Sequence, residues 1–547
     1  MSAKAMRPRL DPATVRAALP YFVLAAALAF LAWCTITTAT KPGLEMDEVL
    51  FVNAASGRPT GADAFLGVPT MVFPYIGALK SWLYVPVFDL FGVTAKTIRL
   101  PMIGVELLTV MLGFLLARRM FGVWLAALLA LLLATDPTYM TAAKADWGPI
   151  ALATLLRLGA LFAYVSWLRT ERGRWLWLLV VAIALGAWNK LDFLLFAGAF
   201  AVAALVVHHR ALWAIARRRA PATAAPFVAL VAFLFLLYVE VVRPAGRFPV
   251  AESHVALAQR IQDIWGLVYQ TFNGSTLYLD TTAKSLPNPT LFLWFLVACL
   301  AGGAGTAFWW AAWGRRRPQA DGLAAAAQTT TFLFVLFAAM FVVMVFARQV
   351  NGPHHALQLW PIPQLLGVGL IAVAARLPGK GLRTAATAGL AAGALVLAAT
   401  QVRAADEFHA AFTAARNWHR GWTTEIYPLS AAINHAAATP DVDSVVTADW
   451  GTGNQLSALG TDTVRTKLDD AWPTFLGLTG PHALKGAADT LFRGKNVLLV
   501  APATGTAIMK DAGVHARQLL AAVHARHGVR ALYRGRLLVL FRVDDRA

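Results

Sequence analysis

The sequence predicts a polytopic α-helical membrane protein with a C-terminal extracytoplasmic α/β domain, and three observations predict it. Of 547 residues, 58% are hydrophobic and only 14% charged, too little polar surface to cover a soluble fold. Apolar runs of span length recur through residues 1–401, and the mean hydropathy is +0.58. From residue 402 onward the pattern changes to short β-branched runs between polar or Ala-rich stretches.

The N-terminus carries Lys4, Arg7, Arg9 and Arg16 ahead of the first apolar run. Because further spans follow, this reads as a signal anchor and not as a cleaved leader. About eleven spans are predicted, near 18–38, 99–117, 121–135, 148–168, 175–188, 193–207, 223–241, 290–310, 327–347, 356–375 and 384–401. The shorter runs draw on flanking residues to cross roughly 30 Å of hydrocarbon. Alternate connectors hold Arg118–Arg119, Arg169/Arg172/Arg174, Arg210 with Arg217–Arg219, Arg315–Arg317, and Arg376/Lys380/Arg383. The positive-inside rule assigns these, and the N-terminus, to the cytoplasm. The formal charge of +19 is thereby a topology signal, and nucleic acid is not expected as a partner.

Residues 65–90 are apolar, yet Pro69, Pro74, Lys80 and Pro86 interrupt them, and Trp82 and Tyr84 suit the headgroup level. They are predicted as interfacial helices within a long outer loop, 40–98. Counting them as a span would place five Arg clusters outside. Eleven spans leave 402–547 outside, where DSVVTADW (443–450), KNVLLVAPA (495–503) and RGRLLVLFRV (534–543) read as strands. With two Cys in the chain, no disulfide framework is indicated.

The unusual polar residues gather on the outer side. LEMDEVLFVNAASG (44–57) sets Asp47 beside Glu48 where the first span ends. TDPTYMTAAKADWGP (135–149) carries Asp136, Lys144 and Asp146; a capping role explains Asp146 ahead of Pro149 but needs neither Lys144 nor Asp136. NKLD (189–192) supplies Lys190 and Asp192, which can pair or snorkel. NGPHHALQLWP (351–361) supplies His354 and His355; adjacent helical side chains diverge, which favours a phosphate hydrogen bond or a single ligand over a shared metal. Glu106 and Arg157 stand at comparable depth within spans, and a structural intramembrane pair is expected.

Taken in order, these motifs resemble the GT-C glycosyltransferases that use polyprenyl-phosphate sugars, in particular the dolichyl-phosphate-mannose protein mannosyltransferase and lipid A aminoarabinose transferase group. Asp47–Glu48, FPYIGALKSWLYVPVFDLFG (73–92), Arg99, RRMFG (118–122), TDPTYMTAAKADWGP and GAWNKLDF (186–193) carry the resemblance. Lys144 stands where the family more usually has Arg. The resemblance implies inverting transfer from a lipid phosphate carrier to an envelope glycan, lipid or protein acceptor. By position, Asp47 is the implied base, with Glu48 and Asp146 as further catalytic residues. Lys190, Lys144, Arg58, Arg99, Arg243, Arg247 and His354 are implied for the donor phosphate, and Asp136, Asp192 and His355 for positioning the acceptor or loop. No cofactor is certain; a divalent cation is possible, with Asp47, Asp146 and His354 as its candidate ligands. The expected setting is a bacterial inner membrane, with a polyprenyl-phosphate-linked sugar donor and membrane lipids as partners and the C-terminal domain periplasmic or extracellular. A transporter or lipid flippase is the alternative; it explains Glu106 and Arg157 but not the one-sided acidic residues. A membrane scaffold whose outer domain binds envelope material is a third reading.

Overall fold

The computed structural model describes residues 11–56, 64–65, 67–243, 255–316, 322–347, 352–414, 420–524 and 527–545. Arg58 and Arg247 lie outside the described residues. The chain enters through α1 (Pro12–Thr37), where the Asp11 carboxylate accepts the Ala13 N–H at 3.2 Å. A loop leads to the short α2 (Met46–Ala55). Two small hairpins follow, β1 (Ala64–Phe65) with β2 (Val68–Pro69) and β3 (Met71–Phe73) with β4 (Ile76–Gly77), and then α3 (Leu79–Phe91). The interfacial helices expected over 65–90 are thus hairpins plus one helix, with Pro74 in the turn between β3 and β4. The 13 residues of α3 rise about 20 Å, too little to span.

The bundle continues with α4 (Ala95–Phe121) and α5 (Val123–Ala134), joined at Gly122, whose φ of 105° makes the sharp reversal possible. Helix α5 and α6 (Pro137–Ala145) are bent by 64° at their junction. Then come α7 (Ile150–Thr170), α8 (Gly173–Asn189), α9 (Phe193–Arg218) and α10 (Ala220–Leu237). After these lie α11 (Leu257–Phe272), α12 (Ser275–Thr282), α13 (Phe292–Ala312), α14 (Gly322–Phe346), α15 (Pro353–Ala356), α16 (Ile362–Ala374) and α17 (Lys380–Ala414).

Among the described residues, nine helices are long and apolar enough to cross a bilayer, or ten if the bent α5–α6 pair is one span. The remaining expected span, 175–188, falls on α8, whose 17 residues rise about 25 Å. An apolar run in sequence marks a buried helix whether or not its rise spans the bilayer, which is why eleven were expected. Phe22, Phe235, Trp294 and Phe308 project outward at 63–70% exposure, as a lipid-facing belt requires. The Pro353–Ala374 span is instead enclosed, with Leu365, Leu366 and Val368 fully buried.

Helix α17 runs on to Ala414, past the boundary expected at 402. Beyond it lie α18 (Ile426–Ala437), β5 (Ser444–Thr447), α19 (Thr452–Leu459), β6 (Leu468–Asp470), β7 (Val497–Pro502), β8 (His527–Arg534) and β9 (Leu538–Asp545). The sheet order is β6-β5-β7-β9-β8, parallel across β6, β5 and β7 and closed by the antiparallel β8–β9 hairpin. All three expected strands form, while β8 escaped notice because its Arg530 and Arg534 interrupt the apolar alternation. The C-terminal region is docked onto the segment that joins α1 to α2 and onto α2 itself. Gly43 N–H donates to Trp422 O at 2.7 Å, and Tyr427 Oη to Thr40 O at 3.1 Å. Buried Gln455 donates through Nε2 to Leu44 O at 2.5 Å and Gly421 O at 3.2 Å. Asn53 Nδ2 reaches Asn454 O at 3.1 Å.

Candidate active site

Five segments converge around Asp47 and Lys190: the first turn of α2, the turn after α6, the α8–α9 junction, the β3–β4 turn and α15. Helix α2 starts with a reciprocal cap, in which Glu45 Oε2 accepts the Asp47 N–H at 2.7 Å and Glu48 Oε2 accepts the Glu45 N–H at 3.4 Å. Asp47 is thereby held in the first turn, where the helix dipole favours a carboxylate. It is partly exposed. Burial holds its carboxyl above the usual Asp range, while Lys190, the Trp147 indole N–H and Lys80 pull the other way. The Tyr75 phenol faces both Asp47 and Asp192, and burial followed by those two charges raises its pKa.

Lys190 is 7% exposed, and its ammonium lies 3.2 Å from Asp192 Oδ2, which also accepts Gln358 Nε2 at 3.0 Å. The backbone there is pinned by an antiparallel bridge between Ile76 and Lys190 and by Leu191 N–H to Tyr75 O at 3.0 Å. The His354 and His355 ring centroids are 4.0 Å apart, and both rings lie within electrostatic reach of Lys190. His354 also lies 5.2 Å from the Trp147 ring. Gly148, at φ 74°, makes that approach possible, because a Cβ there would fall 2.8 Å from the His354 ring. The structure thus brings together Asp47, Lys190, Asp192, His354 and His355.

Other expected site residues have structural partners instead. Glu48 is engaged by Arg99, Nε to Oε1 at 2.7 Å and Nη2 to Oε2 at 2.8 Å, and the same guanidinium donates to the carbonyls of Ala39, Pro42 and Gly43. Both side chains are buried, so neither faces a substrate. Asp146 is fully buried, 3.0 Å from Lys80 Nζ, and its Oδ1 accepts the Ala151 N–H at 2.6 Å, capping α7. Lys144 donates to Thr38 Oγ1 at 2.9 Å and to the carbonyls of Thr38 and Lys41, with Phe412 below its ammonium at 4.7 Å. Asp136 caps α6 through the Thr138 and Tyr139 N–H groups and accepts Trp360 Nε1 at 3.1 Å and Gln364 Nε2 at 3.2 Å. Arg243 is exposed at the end of the turn that extends α10. The expected Glu106–Arg157 pair does not form: Arg157 donates to Leu357 O and Gln358 O, and neither Glu106 oxygen makes a hydrogen bond.

Sequence reasoning missed Lys80, Glu45, Tyr75 and the Trp147 indole. Lys80 had a signal, a lysine inside the apolar run GALKSWLYV, which in the structure stands beside both Asp47 and Asp146. No group of three or more His, Cys, Asp or Glu side chains among the described residues is arranged to hold a metal ion. The trio of Asp47, Asp146 and His354 does not fit one, since Asp146 is consumed by Lys80 and the α7 cap.

The sequence pattern of the dolichyl-phosphate-mannose-protein mannosyltransferase family matches residues 77–243, a segment that holds Lys80, Asp146 and Lys190 but not Asp47. No curated protein sequence matches the chain. Among solved structures, ArnT from Cupriavidus metallidurans in the apo state superposes with a TM-score of 0.58 at 16% identity, covering 96% of this chain and 98% of that one. The same enzyme bound to undecaprenyl phosphate gives 0.53 at 16% identity, over 95% and 97% of the two chains. The oligosaccharyltransferase AglB from Archaeoglobus fulgidus, in complex with an inhibitory peptide and a dolichol-phosphate, gives 0.53 at 12% identity over 94% and 73%. The chain thus shares its fold along nearly its whole length with ArnT and with AglB, and its residues 77–243 match the mannosyltransferase family pattern.

Proposed function

We propose that this protein transfers a sugar, with inversion, from a polyprenyl phosphate to a cell-envelope acceptor on the outer face of a bacterial inner membrane. The helical part is the catalytic unit, and the C-terminal sheet is its outer cover. The observation that carries this reading is a partly exposed carboxylate, Asp47, within electrostatic reach of the Lys190 ammonium. Asp47 accepts the acceptor hydroxyl proton as that oxygen bonds to the anomeric carbon. The bond from that carbon to the phosphate oxygen breaks, and the prenyl phosphate leaves with the electron pair. Lys190 stabilises the growing negative charge, exchanging Asp192 for phosphate; His354 and His355, whose rings are near Lys190, hydrogen-bond the same group in this reading.

Removing one such donor commonly costs on the order of 10²–10³ in rate. Lys190→Ala is expected to show a loss of that size in kcat with little change in thermal midpoint, measured by label transfer beside a melting curve. Asp47 is active only when deprotonated, and burial holds its carboxyl above the usual Asp range. The acid limb of kcat/KM is therefore expected above the range of a free Asp, with activity falling as pH drops through it; a limb within the free-Asp range would dismiss Asp47 as the base.

The direct test presents purified protein with a panel of radiolabelled polyprenyl-phosphate sugars and envelope glycan, lipid and protein acceptors. Transfer supports the reading; lipid translocation without bond transfer overturns it. Sidedness is tested by a Cys placed at the exposed Thr463, which should label from outside intact cells.

A further inference from the structure

Far from Asp47, at the other end of the bundle, α7, α9 and α14 enclose a cavity of about 470 Å³. From Asp146 to Thr170 the length of α7 separates the two ends by about 30 Å. A second cavity of about 200 Å³ adjoins the first, and His208, Ala211, Ala325 and Gln328 line both. Arg169 and Arg218 face the larger chamber, Arg210 and Arg315 the smaller. Glu171 is the one carboxylate among the lining residues, and Arg218 at 2.6 Å and Arg219 at 3.5 Å already neutralise it. The lining is mixed polar and apolar, and Met120, Leu168, Ile215 and Phe332 supply its apolar side.

The floor is built. Tyr164 Oη lies 3.0 Å from His208 Nδ1, and the Tyr164 ring is wedged between Phe200 and Phe332 at 4.9 and 5.6 Å. Tyr164 also lines an apolar groove of about 620 Å³ walled by Trp167, Phe200 and Phe227. Basic connectors alone would satisfy the positive-inside rule with their side chains in open water. Here guanidiniums, an imidazole and a carboxamide instead surround a recess with a greasy side.

We propose that this recess binds the phosphodiester headgroup of an anionic glycerophospholipid, with an acyl chain along its apolar wall. A guanidinium grips phosphate oxygens in a two-pronged fashion, and basic pockets between helices attract anionic headgroups. The site is separate from the sugar-transfer pocket, and its occupancy ties the α7, α9 and α14 ends together in the leaflet opposite the chemistry.

The test is native mass spectrometry on the delipidated full chain, titrated with phosphatidylglycerol, phosphatidylcholine, or phosphatidylglycerol in excess inorganic phosphate. Wild type should retain phosphatidylglycerol about tenfold better than phosphatidylcholine, and inorganic phosphate should not displace it. The double variant Arg169→Gln/Arg210→Gln should lose that preference. Ala325→Trp, which fills the recess without altering charge, should lose it too. Lys380→Gln/Arg383→Gln, removing charge from another connector at this end, should keep it. Equal retention of both lipids by wild type overturns the proposal, as does displacement by free phosphate. So does a preference that survives both recess variants or falls equally with the connector control.

Discussion

Asp47→Asn is expected to slow sugar transfer by about 10²–10⁴-fold while the protein still folds and still binds the donor. The substitution keeps the shape of the side chain and removes only the capacity to take a proton. The α2 cap is preserved because it rests on Glu45 and Glu48 and uses the residue 47 backbone N–H alone. Lys80 loses one nearby negative charge but keeps Asp146 at 3.0 Å. Initial rates under saturating donor, read beside a melting curve, separate the chemical step from stability. A variant that retains a rate within a few fold of wild type would assign the base to another residue.

Arg99→Met is expected to destabilise the protein by about 3–5 kcal/mol, the usual consequence of leaving a buried charge without its partner. Glu48, 1% exposed, would keep its charge with no cation against it, and three loop carbonyls would lose their donor. Low yield and a markedly lower unfolding temperature are the readouts, with Lys190→Ala as the contrasting variant that stays stable. An Arg99→Met protein of normal stability with weakened donor binding would return Arg99 to the phosphate.

What the sequence made legible depended on distance along the chain. Most span positions and the gathering of Asp47, Lys190 and His354 at one end of the bundle follow from local composition, and these survive in the structure. Partners far apart in sequence were not legible. Glu48 and Arg99 were assigned separate catalytic tasks, yet they satisfy each other across 51 positions. Lys80 and Asp146 likewise come from different connectors, α3 and the turn after α6. Equal depth suggested a Glu106–Arg157 pair, but depth fixes only one coordinate of a helical side chain. The rotation of α7 aims Arg157 at the turn after α15, away from Glu106. Residues 65–90, expected as interfacial helices and not as a span, form two hairpins and one short helix, because strand pairing between neighbouring segments is not written in apolarity.

The stretch that carries Asp47, the proposed base, is held from above as well as below. Thr40, Gly43 and Leu44 are bonded to Tyr427, Trp422 and Gln455, so backbone carbonyls and an amide just upstream of Asp47 answer to residues more than 370 positions later in the chain. A protein cut after Ala414 would retain every group that performs the chemistry, yet its carboxylate would ride on an unmoored strap. Its deficit should therefore be one of aim: kcat reduced, with donor affinity preserved, and partly restored when the severed C-terminal piece is co-expressed.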